Sequence, residues 1–136
     1  MQYAVPRRGL PSTASFRRWF FGSSNITLRI VGEREGRELN ARFRKRHKAT
    51  NVLSFPYGSG SGDVILCHPV IAREARAQGK ALAAHYAHLV VHGILHLRGY
   101  DHEKKRDALR MERREVRILR RLGFPDPYAV KSPASR

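Results

Sequence analysis

The residues best suited to chemistry lie in one run, His92-Gly93-Ile94-Leu95-His96-Leu97-Arg98-Gly99-Tyr100-Asp101-His102. His92 and His96 are one helical turn apart, so on a helix their imidazoles project from the same face. Two nitrogen donors at that spacing can grip one small cation. Gly99 permits the sharp turn out of a helix that would bring His102 back to the same point. Three imidazoles with a fourth position open describe a catalytic zinc site rather than a closed structural one. The open position would take a water, acidified to a pKa of roughly 7. A histidine pair alone often only packs; the third histidine after a helix-ending glycine favours metal ligation.

The three histidines and the glycine match the zinc-protease spacing H-E-x-x-H-x-x-G-x-x-H. Gly93 stands where that pattern places its glutamate base. Without the carboxylate, peptide hydrolysis lacks its proton acceptor. A phosphodiester, drawn by its own charge to a metal on a basic surface, suits the site better. The surface is basic: 27 Lys and Arg stand against 11 Asp and Glu, a formal net charge of +16. Such a charge attracts polyanions, nucleic acid first, and exceeds what solubility needs. A membrane surface is the weaker partner, because no terminal helix shows a clean apolar face opposite its charges.

The elements that must position these residues are legible in outline. A chain of 136 residues fits one domain with one core. Residues 1–24 read as a basic lead-in, with a short helix over 12–21 capped by Ser12 or Thr13. Residues 25–31 alternate like a half-buried strand, and 35–47 read as a helix carrying Leu39 and Phe43. A second strand over 51–56 is expected to stop at Pro56. Gly58 to Gly62 reads as a flexible connection, and 63–67 as a third strand pairing with the second. His68-Pro69 opens a helix. The histidine helix spans 82–97 and ends near Gly99, and a last helix spans 103–122 with Ala108, Met111, Ile118, Leu119 and Leu122 on its apolar side. Residues 126–136 read as a loose tail. The expected fold class is α/β (α+β), a small mixed sheet with about five or six packed helices. The single cysteine, Cys67, rules out an internal disulfide, and no secretory h-region is visible, so a reducing, cytoplasmic setting is expected.

The signature His92-Gly93-x-x-His96-Leu97-x-Gly99-Tyr100-Asp101-His102 resembles that of the YbeY family of bacterial endoribonucleases. Upstream, Glu38-Leu39-Asn40-x-x-Phe43-Arg44 followed by Thr50-Asn51-Val52-Leu53-Ser54-Phe55-Pro56 is similar to the family's second block. Gly62-Asp63-Val64 and Met111-Glu112-x-x-Glu115 also fit, so the resemblance covers roughly residues 26 to 125. It implies a metal-dependent, single-strand-specific endoribonuclease of ribosomal RNA maturation and ribosome quality control, linked to the 3′ end of the small-subunit RNA. It also implies a small-sheet α/β fold, a cytoplasmic location and one zinc ion (Zn2+) per chain. Arg44 falls on the family's functionally important arginine, and a guanidinium can grip a phosphate through two parallel hydrogen bonds. Arg46 and Lys48 join it as expected RNA contacts. The chain departs from the resemblance at His47, where family members often carry Asp.

Other residues have plainer readings. His85 and His88 share the side of His92, and packed, hydrogen-bonded histidines are the simpler account; His88 could also stand behind a metal ligand. Asp101 could orient a ligand or cap the last helix. Tyr100 is expected to pack, Cys67 to be a small buried apolar residue, and Glu112 and Glu115 to pair with Arg or Lys. Arg110, Arg113, Arg114, Arg117, Arg120 and Arg121 offer a surface that could track an RNA backbone. No DNA partner is expected, and ribosome-associated proteins are conceivable partners. Two rival readings stand beside the nuclease. One is a non-catalytic, ribosome-associated RNA-binding factor with a structural metal site, the other a metalloprotease.

Overall fold

The computed structural model describes residues 1–20, 25–44, 50–100 and 103–129, with Phe43 and Arg44 as backbone only. In chain order the elements are β1 (Gln2–Tyr3), α1 (Thr13–Arg18), β2 (Ile26–Val31), α2 (Glu33–Arg44) and β3 (Val52–Gly58). They continue with β4 (Ser61–Cys67), α3 (His68–Ala77), α4 (Leu82–Leu97) and α5 (Lys105–Arg121). One four-stranded sheet has the order β1-β2-β4-β3. β1, β2 and β4 run parallel, and β3 is antiparallel to β4. The sheet is mixed, as its sequence predicts.

β4 is central and loses both faces to the core. Val64 and Leu66 join a large cluster with Leu28, Ile30 and the apolar residues of α4. Ile65 and Cys67 point the other way, with Val31 and Leu53, against Leu39 of α2. The period-2 alternation of a strand sorts these residues between two layers. α4 therefore covers one face and α2 the other. On the α4 side Phe16, Trp19 and Tyr86 meet edge to face at 5.2 and 5.5 Å between centroids, contacts worth about 0.5–1.5 kcal/mol each beyond their buried area. Ser12 caps α1, its Oγ accepting from the Ser15 N–H at 3.1 Å, a contribution of about 1 kcal/mol.

Three expectations change. β3 does not stop at Pro56 but runs on to Gly58, with Pro56 opposite Gly62. An edge strand tolerates the missing N–H because no described strand pairs with its outer side, and a register shift falls between Pro56 and Gly58. The 58–62 segment is no flexible connection but a tight hairpin. Ser59 and Gly60 both have positive φ, 56° and 78°, the backbone that matches strand twist across a two-residue loop. The expected lead-in contains β1, a parallel edge strand too short to show periodicity. Among the described residues no helix is long and apolar enough to cross a membrane.

Candidate metal centre

α4 is apolar on nearly every side, with Leu89, Val90, Val91, Ile94, Leu95 and Leu97 all buried. Its polar members, His85, His88, His92 and His96, recur every three or four residues and form one stripe. The His92 and His96 rings lie 4.7 Å apart at 75°. That is the adjacency the sequence predicts for two ligands. Arg98 ends the helix and Gly99 has φ 94°, a left-handed turn that a side chain rarely adopts. His102 and Asp101, which follow it, lie outside the described residues, as do Arg46, His47 and Lys48. Arg44 is the last residue of α2.

α5 supplies what the sequence reading missed. Glu115 is fully buried, and among the described residues it meets imidazoles rather than the Arg or Lys that the sequence predicts. Its Oε2 lies 2.6 Å from His92 Nδ1 and 3.5 Å from His88 Nε2. Its Oε1 accepts the Tyr128 hydroxyl. Burial would raise the carboxyl's pKa, but the hydrogen bonds from His88, His92 and Tyr128 outweigh it and hold the group at about 2. The clue was present: Glu115 sits four residues after Met111 and three before Ile118, inside the apolar stripe of α5. An acid there must meet a buried donor, and the facing stripe of α4 carries imidazoles.

An ionised carboxylate only accepts hydrogen bonds, so the His92 proton resides on Nδ1 and Nε2 is the nitrogen that could meet a metal ion. This carboxylate–imidazole pair is the usual support of a metal-ligating histidine. His88, His92 and Glu115 also form a group whose donor atoms lie within 4.8 Å of one another and could hold a metal ion. At 2.6 Å the His92–Glu115 contact is a hydrogen bond. The imidazole-rich donor set suits zinc and its neighbours better than the hard alkaline-earth ions. Beside His92, a cavity of about 260 Å³ is lined by Ala108, Met111, Glu112, Glu115 and Tyr128.

The remaining expectations resolve simply. His85 is buried and bonds Glu74 Oε1 through Nε2 at 2.9 Å, a packed histidine. Cys67 is buried, its thiol pushed up chiefly by burial and donating to the Gly32 carbonyl at 3.7 Å. Tyr100 packs on the core with Arg110 over its ring. Gly93 faces the sheet: a Cβ there would lie 2.7 Å from Val64 Cγ1, and Ser54 Oγ donates to its carbonyl at 3.3 Å. The position of the protease glutamate is thus the contact point between α4 and the sheet, with no room for any side chain.

Fold and site together define a small mixed-sheet α/β protein with a histidine–carboxylate group that could hold a metal ion. The family model described as Endoribonuclease YbeY matches residues 13–123. The chain belongs to that family. It is 48% identical to an Endoribonuclease YbeY of Nitrosomonas eutropha, covering 96% of this chain and 98% of the relative. It is 52% identical to one from Aromatoleum aromaticum, covering 93% and 86%. A Thermotoga maritima protein solved in solution superposes with a TM-score of 0.52 at 28% identity, over 90% of this chain and 85% of that one.

Proposed function

We propose that this protein is a zinc-dependent, single-strand-specific endoribonuclease that acts on ribosomal RNA, late in maturation of the small-subunit 3′ end and in ribosome quality control. It works in the cytoplasm. An endoribonuclease role is what membership of the family carries; the metal and the substrate are our reading. The observation that carries it is His92, its Nδ1 held by buried Glu115 and its ring set against His96 on the same helix face. His92, His96 and His102 would hold one zinc ion. Zinc, when bound, supplies Lewis acidity toward a phosphodiester at neutral pH. The protein supplies the rest. Glu115 fixes the His92 ring and its tautomer. Arg44 binds the scissile phosphate and offsets its growing charge, with Arg46 and Lys48 holding the neighbouring backbone. The basic surface collects single-stranded RNA. Gly93, closed off by the sheet, leaves no base of the protease kind, so peptide hydrolysis is not the function.

The test compares the purified wild type with His96→Ala and Arg44→Ala on a single-stranded ribosomal RNA fragment, with zinc content measured in each. His96→Ala should lose both metal and cleavage. Arg44→Ala should keep the metal and lose most of the cleavage. Cleavage surviving in His96→Ala would overturn the proposal, and metal-loaded wild type that binds RNA without cutting it would favour a binding factor.

A further inference from the structure

Past α5 the described residues, 122–129, pack back on the fold. Phe124 packs edge to face on Trp19, with centroids 5.9 Å apart. Lys80 Nζ donates to the Pro127 carbonyl at 3.0 Å, and Asp126 Oδ1 accepts the Tyr128 N–H at 2.8 Å. These three ties set Tyr128 against the histidine stripe. Its ring meets His88 edge-on at 5.1 Å and 84°, and its hydroxyl donates to Glu115. Tyr128 lies beyond the family-matched segment, which ends at residue 123.

The geometry points to Tyr128 as a positioning residue for His92, acting through Glu115. The inference rests on the proposed metal site. Its logic is one of donors and acceptors. Glu115 is buried and can only accept. His92 Nδ1–H occupies Oε2 and the Tyr128 hydroxyl occupies Oε1. Having given its proton to Glu115, the Tyr128 oxygen can accept from His88 Nε2, 3.0 Å away. His88 Nδ1 is buried and meets no hydrogen-bond partner among the described residues, so Nε2, which faces the Tyr128 oxygen, is the nitrogen that carries the proton. The chain of bonds therefore has one direction, from His88 through Tyr128 to Glu115, where it meets the proton of His92. Both carboxylate oxygens are pinned, and the carboxylate plane cannot turn away from His92. Without the hydroxyl, Oε1 is left buried and bare, and the carboxylate is drawn further toward His88, whose Nε2 already lies 3.5 Å from Oε2. The His92 ring then loses its fixed tautomer and direction.

The experiment uses the full chain and Tyr128→Phe, with Tyr3→Phe as a remote control. Zinc affinity is read by chelator competition, ligand geometry by the visible spectrum of the cobalt(II)-substituted protein, and the His92 tautomer by imidazole ¹⁵N NMR of the metal-free protein. Tyr128→Phe should weaken zinc binding by roughly tenfold to a hundredfold, alter the cobalt spectrum and mix the His92 tautomers. Tyr3→Phe should change none of the three. An unaltered zinc affinity and cobalt spectrum in Tyr128→Phe overturns the inference and leaves the nuclease reading standing. Wild type that takes up no zinc removes the nuclease reading instead. The tautomer measurement still decides this one: a His92 proton that stays on Nδ1 in Tyr128→Phe refutes it.

Discussion

At the scale of single residues, Gly93 and Glu115 carry the most information. Gly93 is a packing requirement before it is anything chemical. An added methyl would meet Val64 at 2.7 Å, and overpacking of that kind costs about 1–3 kcal/mol. Gly93→Ala should lower the melting temperature, and Val64→Ala in the same chain should restore part of the loss, measured as a double-mutant cycle. Strict additivity of the two changes would show that the contact does not set the spacing. Glu115 illustrates the opposite case, a residue whose role is invisible until its neighbours are known. Its place in the apolar stripe of α5 marks it for burial, and its side chain is 0% exposed, but the stripe does not say which donors it meets.

At the scale of elements, the seam between α3 and α4 is a second buried polar layer. His68 Nδ1 lies 2.7 Å from the Tyr86 hydroxyl, and His85 bonds Glu74, which also accepts from Asn51 Nδ2 at 3.0 Å. Burial lowers both histidines below their ordinary value of 6.5; for His85 it outweighs the upward pull of the Glu74 hydrogen bond and charge, with Lys80 and His88 adding to the lowering. The unfolded chain therefore binds these protons first. The stability they contribute is complete above pH 6.5 and falls away as the pH drops through that value toward the lowered native pKa values. Urea unfolding between pH 7.5 and 5.5 should show this decline, and His85→Gln should make it shallower. An unchanged slope in that variant would place the acid sensitivity elsewhere.

At the scale of the whole molecule, charge and topology act together. Three acids near the start of α2 are paired: Glu33 with Arg73, Glu35 with Arg29 and Glu38 with Arg34. The net charge of +16 remains, and α5 contributes exposed arginines such as Arg113 and Arg117. Binding to single-stranded RNA should weaken steeply with salt, with a log–log slope of about −0.7 for each phosphate contacted. Replacing Arg113 and Arg117 together by Ala should flatten that slope if α5 tracks the backbone. An identical slope would move the interface off this helix.

Much of this molecule is local and so could be read directly from the chain. Helix and strand periods, the cap at Ser12, the proline opening α3 and the turn at Gly99 each depend on residues within a few positions of one another. So does the adjacency of His92 and His96, because one helical turn places four-apart residues side by side. Other features depend on pairings across the fold that no period encodes. Pro56 could remain in a strand only because β3 lies at the edge of the sheet. β1 is a strand only because β2 is beside it. Glu115 reaches His92 across 23 residues of chain, and Tyr128 reaches Glu115 from a segment that leaves α5 and returns. Sequence alone put His92 and His96 side by side on one helix face. Only tertiary packing decided that the Glu115 carboxylate meets His92 and the Tyr128 hydroxyl meets Glu115, because buried donors and acceptors are matched in space.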